Sequence, residues 1–304
     1  MRPTLKQLQY LVAIAETGKF ADAARLMNVS QPSLSTQLAD MEFELDTVLI
    51  ERGRHGAKLT PIGEETVRRA RLILASVEEL KAHATAGVGG FSGRLRLGVI
   101  PTVGPYLLPS VTSKLHGMYP DFRLSVQEER TIDLDQRLRE GQLDTLISTA
   151  EDHGNTQSIP LFTEDLWVCV PPDHSFAQGT GPIKPEALKG LSLLSLGQGH
   201  NLNMTIRDVA RVSGAFVNHE YEGTSLDAIR QMAAMGAGVA VLPSLYALVE
   251  ARRDQALTVR KIDHETARRE ISLVWRDTSP MGEQMGELAE ILREVAAELI
   301  LSYR

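Results

Sequence analysis

Apolar residues recur every three to four positions in three short N-terminal runs, the spacing of helices that bury one face. Leu5, Leu8, Leu11, Val12 and Ala15 predict a first helix ending near Gly18. Ala21, Ala23, Ala24 and Leu26 predict a second, with small residues that permit close helix approach. Met27-Asn28-Val29 breaks the pattern, and Asn28 is suited to the left-handed conformation that ends a helix. Ser30 stands where an N-cap belongs, and Pro32 falls just inside the next helix, where its missing N–H is harmless. Leu34, Leu38 and Met41 follow at i, i+4 and i+7 and form an inward face. The opposite face carries Gln31, Ser33, Ser35, Thr36 and Gln37.

The stretch from Val48 to Pro61 reads as two short extended pieces around a glycine-containing tip, the hairpin wing of a winged helix-turn-helix. Thr60-Pro61-Ile62-Gly63-Glu64 then opens a long helix to about Ala86. Within it Thr66, Ala70, Ile73, Val77 and Leu80 step by four and three, a seam suited to pairing with a second copy. The competing reading is an amphipathic helix lying on its own domain. Gly87 to Gly93 reads as a flexible hinge.

Beyond the hinge, strand-like runs alternate with helical ones. Strands are predicted at Leu95–Ile100, Arg123–Gln127, Thr145–Ser148, Leu166–Val170, Leu191–Leu196, Phe216–Tyr221, Gly238–Leu242, Leu257–Ile262 and Ile271–Trp275. Helices are predicted at Pro105–Met118, Leu134–Glu140, Met204–Val212, Leu226–Met235, Leu245–Arg252 and Gly282–Leu301. That order argues an α/β class with mostly parallel sheets.

A chain of 304 residues has room for two or three folding units. It contains no 18-residue apolar run, so no membrane span is expected. No basic segment followed by an apolar core opens the sequence, and Cys169 is its one cysteine; a reducing compartment, the cytoplasm, is expected. The net charge of −7 is unevenly placed: residues 1–60 hold seven basic and seven acidic groups, so the whole deficit lies beyond them. Arg52, Arg54 and Lys58 cluster in the wing, and local placement governs phosphate contact more than the chain-wide balance does.

These patterns point to DNA. Short hydrogen-bonding side chains on a helix face suit base edges in a major groove, with Gln31, Pro32, Ser33, Ser35, Thr36 and Gln37 as candidates and Arg52 and Lys58 set for phosphates. A structural helix pair would carry the same apolar stripe. Helix-turn-helix, wing, long helix, hinge and α/β segment in this order resemble a LysR-type transcriptional regulator over the whole chain. The matching motifs are Leu5-Lys6-Gln7-Leu8-Gln9-Tyr10-Leu11, Ala23-Ala24, Ser30-Gln31-Pro32-Ser33-Leu34-Ser35 and Leu59-Thr60-Pro61-Ile62-Gly63. The second half resembles the OxyR-type peroxide-sensing branch in the run Ile100 to Pro109, in Gly199-His200, in Thr224-Ser225-Leu226 and in Gly238 to Pro243. At the chemistry the likeness stops. Where that branch places its reactive cysteine this chain has Asn201, and where the resolving cysteine falls it has Ala210. Neither an amide nor a methyl replaces a thiolate. Cys169 lies in an alternating apolar run and reads as a core thiol, a redox sensor there being the minor alternative.

The resemblance implies four parts: a winged helix-turn-helix at 1–60, a dimerisation helix at 61–86, a hinge at 87–93, and a periplasmic-binding-protein-like effector domain at 94–304. Its subdomains would cover about 94–163 with 268–304, and about 164–267. A ligand cleft is implied between them. Thr102, Thr131, Asn201, Asn203 and Thr224 each precede a predicted helix, where side-chain oxygens and free N–H groups suit an anion; simple capping is the alternative for each. Thr224 with Asp227 three residues on forms a variant capping box. Val103 and Ser225 accompany them in the matching segments, and His200 would make affinity pH-dependent. A small anionic or polar effector is therefore expected, for which the helix starts supply donors without needing a buried Arg or Lys. The other expected partners are operator DNA, further copies of the chain as dimer and tetramer, and RNA polymerase. Neither metal nor cofactor is expected. A solute receptor would leave residues 1–60 unused, and no Gly-x-Ser-x-Gly, phosphate loop or metal-ligand spacing supports an enzyme.

Overall fold

Helix α1 (Leu5–Thr17) opens on a reciprocal cap: Thr4 Oγ1 accepts from the Gln7 N–H while the Gln7 side chain accepts from the Thr4 N–H. It closes at Gly18, whose φ of 68° is left-handed. Helix α2 (Phe20–Leu26) ends in a turn through Asn28, at φ 53°. Ser30 then caps α3 (Gln31–Glu44), accepting from the Ser33 N–H at 3.3 Å. Leu34, Leu38 and Met41 are completely buried among Leu11, Ile14, Ala23 and Leu49. The computed structural model describes residues 3–53, 56–86, 94–220, 223, 225–253, 257–279 and 282–303. They fall into two units, Met1–Gly93 with Arg139–Gln142, and Arg94–Leu138 with Leu143–Arg304.

The wing is an antiparallel pair, β1 (Ile50–Gly53) and β2 (Gly56–Leu59), with Ile50 opposite Leu59. Glu42 of α3 fixes its start by accepting from the Leu49 and Ile50 N–H groups at 2.7 and 3.1 Å. Thr60 caps the long helix α4 (Pro61–Ala86): its hydroxyl accepts from the Gly63 N–H at 2.9 Å and donates to the Val48 carbonyl at 2.8 Å. A Cβ on Gly63 would lie 2.1 Å from the Leu49 carbonyl oxygen, so only glycine fits. The expected seam on α4 needs a correction. Ala70 turns inward with Val67 onto the core of its own unit, whereas Ile62, Ile73 and Leu80 stay 56, 47 and 69% exposed. The helix thus uses one face at home and leaves another apolar line uncovered.

In the second unit β3 (Arg94–Val99), β4 (Arg123–Glu128) and β5 (Thr145–Ser148) alternate with α5 (Gly104–Met118) and α6 (Thr131–Arg139). The long strand β6 (Thr156–Val170) leads to β7 (Ser192–Leu194), α7 (Asn201–Ser213), β8 (Phe216–Val217), α8 (Leu226–Ala234), β9 (Val239–Pro243), α9 (Ser244–Arg253) and β10 (Thr258–Lys261). Strand β11 (Arg268–Arg276) and α10 (Gly282–Tyr303) close the unit. The strand order is β4-β3-β5-β11-β6-β9-β7-β8, with β10 also on β6.

The sheet is mixed, not mostly parallel. The β3–β4, β3–β5, β7–β8 and β7–β9 pairs are parallel, but β6 and β11 run antiparallel to every neighbour. Strand β6 starts ten residues before the predicted Leu166. Its polar, Pro160-containing first part lacks the apolar run that marks a buried strand. Helices α6 and α7 each begin three residues earlier than predicted, at Thr131 and Asn201. The expected hinge at 87–93 and Tyr221 of a predicted strand lie outside the described residues.

Candidate functional site

On the N-terminal unit, α3 presents Gln31, Pro32, Ser33 and Thr36 exposed and Ser35 and Gln37 half-buried, as its inward stripe requires. The Gln37 carbonyl accepts from Gln7 Nε2 at 3.1 Å, and Gln7 itself is buried. Helix α1 therefore holds α3 at the turn that carries Gln37, with Gln31 one of the two longest candidate base-reading side chains. Lys58 is exposed on β2. Arg52 faces Ala57 in the hairpin register, and its side chain lies outside the described residues.

In the second unit the first residues of α6 and α7 meet. The Asn201 N–H donates to Thr131 Oγ1 at 3.4 Å, and Asn201 Nδ2 donates to Thr149 Oγ1 at 3.1 Å. Thr149 follows β5 and donates its hydroxyl to Asp152. Thr131 and Thr149 belong to the β3–β4–β5 half and Asn201 to the β7–β8–β9 half, so these polar contacts join the two. Burial pushes the Asp152 carboxyl above the ordinary aspartate range, against the opposing pull of the Thr149 hydroxyl. His200 stands half-buried before α7, and burial, then the nearby Arg130 cation, hold its imidazole below the usual range.

The remaining expected residues separate. Thr102 is not a helix cap; it is buried and accepts from Arg269 Nη2 at 2.8 Å. Val103 precedes α5 with a fully buried side chain, and its N–H is used by the Ile100 carbonyl at 3.0 Å. Asn203 turns into the domain, donating to the Leu196 carbonyl at 2.6 Å and Ser195 Oγ at 3.4 Å. Ser225 caps α8 by accepting from the Ala228 N–H, so the cap expected of Thr224 belongs one residue later; Thr224 lies outside the described residues. Asp227 accepts instead from the Tyr246 hydroxyl at 2.6 Å. A buried cation, Arg269, bonds to Thr102. Arg269 makes two bonds to Glu164 Oε2, at 2.9 and 2.7 Å, with side chains only 4 and 0% exposed.

Comparison with known proteins matches both units. Residues 5–64 fit the family described as bacterial regulatory helix-turn-helix protein, lysR family, and residues 88–297 fit the LysR substrate binding domain. The chain belongs to the LysR family of transcriptional regulators. A relative from Streptomyces viridosporus, described as a probable hydrogen peroxide-inducible genes activator, is 36% identical over 300 residues, covering 98% of this chain and 96% of its own. OxyR of Escherichia coli, a DNA-binding transcriptional dual regulator, is 36% identical over 290 residues, 95% of this chain and 94% of its own. Among solved structures, a cysteine-to-aspartate variant of full-length OxyR from Pseudomonas aeruginosa has a TM-score of 0.78 at 32% identity, covering 96% of this chain and 98% of that one. A cysteine-to-serine variant of Corynebacterium glutamicum OxyR with hydrogen peroxide bound has a TM-score of 0.68 at 34% identity, covering 100 and 97%.

This LysR-family chain has no pair of cysteines for an intramolecular disulfide, and Cys169 is buried in β6. Four polar residues of its site escaped the sequence reading: Arg269, Glu164, Thr149 and Asp152. For Thr149 and Asp152 a signal existed, the polar run that directly follows the predicted Thr145–Ser148 strand. For Arg269 and Glu164, 105 positions apart, no local signal exists.

Proposed function

We propose that this LysR-type regulator binds a small polar molecule where Thr131, Thr149 and Asn201 meet, and that the ligand changes how the DNA-binding unit engages its operator, with no disulfide in the cycle. The observation that carries the reading is the pair of Asn201 contacts. They are neutral hydrogen bonds, each worth about 0.5–1.5 kcal/mol net. A ligand that exchanges them for its own donors and acceptors therefore acts on the junction of the two halves at small cost. Its leverage equals its differential affinity for the two arrangements. His200 adjoins the same contacts, and Asn203 anchors the helix that carries Asn201. A relative that holds hydrogen peroxide after losing a cysteine supports a site of this architecture taking a small polar guest. Buried Cys169 lacks the exposure that a redox thiol needs.

On this reading Gln31, Pro32, Ser33, Ser35, Thr36 and Gln37 enter the major groove and Arg52 and Lys58 meet phosphates. The line of Ile62, Thr66, Ile73, Val77 and Leu80 on α4 pairs with a second copy, tetramers form through the effector halves, and RNA polymerase is a contact at the promoter. The effector leaves unchanged. Calorimetric titration of the full chain against small carboxylates, inorganic oxyanions and hydrogen peroxide tests the site, beside a Thr131→Val, Asn201→Ala variant. Loss of binding in the variant is expected; binding that survives both substitutions removes the site.

A further inference from the structure

Asp152 stands where the donors of this site converge. Its carboxylate accepts from the Thr149 hydroxyl and lies within hydrogen-bonding reach of the Asn201 side chain, the two groups that would otherwise greet a bound anion. The turn that carries it is anchored. His153, the next residue, is buried with Nδ1 3.1 Å from Asp135 Oδ1 on α6 and Nε2 3.0 Å from Ser148 Oγ on β5. The Thr156 hydroxyl donates to the His153 carbonyl at 2.9 Å. Arg269 on β11 adds no free positive charge, because Glu164 on β6 already holds it by two bonds. The cluster thus sets the Arg269 guanidinium against two carboxylates, with His153, Asp135 and His200 around it and Arg130, paired with Asp133 at 2.6 Å, beside His200.

We infer that Asp152 sets the charge of the effector: ionised, it excludes anions and selects an uncharged small molecule that donates and accepts hydrogen bonds, and an anion enters only with a proton. This rests on the effector site proposed above and narrows its ligand class. A carboxylate ligand placed on the Thr149 and Asn201 donors would bring a second negative charge against the half-buried Asp152, where like charges repel more than in water. A neutral amide or hydroxyl compound meets no such penalty and gains Asp152 as an acceptor.

Formate and formamide, nearly alike in shape and different in charge, decide between these outcomes in calorimetric titrations of the full chain. At about pH 7.5 the unaltered chain is expected to bind formamide at least about tenfold more tightly than formate. Asp152→Asn is expected to raise formate affinity by about tenfold or more and leave formamide affinity within about threefold. Asp152→Ser is the second variant, and circular dichroism checks the fold of both. Near pH 5 formate should bind the unaltered chain with uptake of about one proton, read from titrations in buffers of different ionisation enthalpy. Formate bound by the unaltered chain as tightly as by the variants, or without a proton, overturns the role of Asp152 and leaves the site standing. Failure of both probes to bind any of these proteins, or binding that persists in Thr131→Val, Asn201→Ala, overturns the site itself.

Discussion

Asn201 donates its side-chain amide to the Thr149 hydroxyl at 3.1 Å, across the join between the two halves of the effector unit. Removing that amide leaves the buried Thr149 hydroxyl one donor short, though its own bond to Asp152 remains. Asn201→Ala should therefore lower the stability of the effector unit by about 0.5–1.5 kcal/mol. Urea unfolding followed by a signal from this unit checks the value, since a chain of two units need not unfold in one step. A loss near zero would mean that the contact joins nothing.

Arg269 and Glu164 carry a larger share of the energetics. Glu164 also accepts from the Leu245 N–H at 3.1 Å, so it links β11, β6 and the start of α9. Arg269→Ala strands a carboxylate with no exposed surface, and breaking a buried pair costs about 3–5 kcal/mol. Replacing both, as Arg269→Met with Glu164→Leu, should cost much less, because no charge is left unpaired. Equal losses in the single and double variants would contradict this.

On the DNA side, Gln37 and Lys58 should separate. Gln37→Ala is expected to lose about 1–3 kcal/mol of discrimination at one base pair. Lys58→Ala should weaken all sequences alike and reduce the salt dependence by about one unit of slope. Fluorescence anisotropy on a panel of operator variants at several salt concentrations reads both. Identical behaviour of the two variants would refute the assignment.

Acid sensitivity has a defined sign at His200. Its imidazole is held below the ordinary value of 6.5 by burial first and then by Arg130, so the folded chain resists a proton that the unfolded chain accepts. Stability present above 6.5 is lost as pH falls through the folded value. Asp152 runs the other way: raised by burial, it favours the fold while protonated, and that contribution fades as pH rises through its folded value. His200→Asn should flatten the decline in thermal midpoint between about pH 7 and about pH 5, measured by differential scanning calorimetry. An unchanged profile would place the acid sensitivity elsewhere.

What the sequence disclosed was local. The Asn28 turn, the Ser30 cap, the Leu34–Leu38–Met41 stripe and the capped start of α4 each rest on residues a few positions apart, and each is found in the structure. The α4 seam was half legible, since a heptad pattern does not distinguish a face that meets another copy from one, like Val67 and Ala70, that meets its own domain. Strand β6 was legible only where apolar, because its Thr156–Asp165 part is held by pairing with β11 rather than by burial. Thr131 and Asn201 were singled out by helix starts together with the likeness to the peroxide-sensing branch. Their partners Thr149 and Asp152 sit on a turn whose place is fixed by His153 reaching Asp135 and Ser148, a tertiary arrangement with no periodic signature.

The central claim is effector control without thiol chemistry. Its most direct test is operator binding of the full chain, on DNA selected from a random pool, titrated with hydrogen peroxide in the absence of reductant for the unaltered chain and for Cys169→Ser. The two curves are expected to coincide, whether or not peroxide moves them. A peroxide response present in the unaltered chain and abolished by Cys169→Ser would contradict the account.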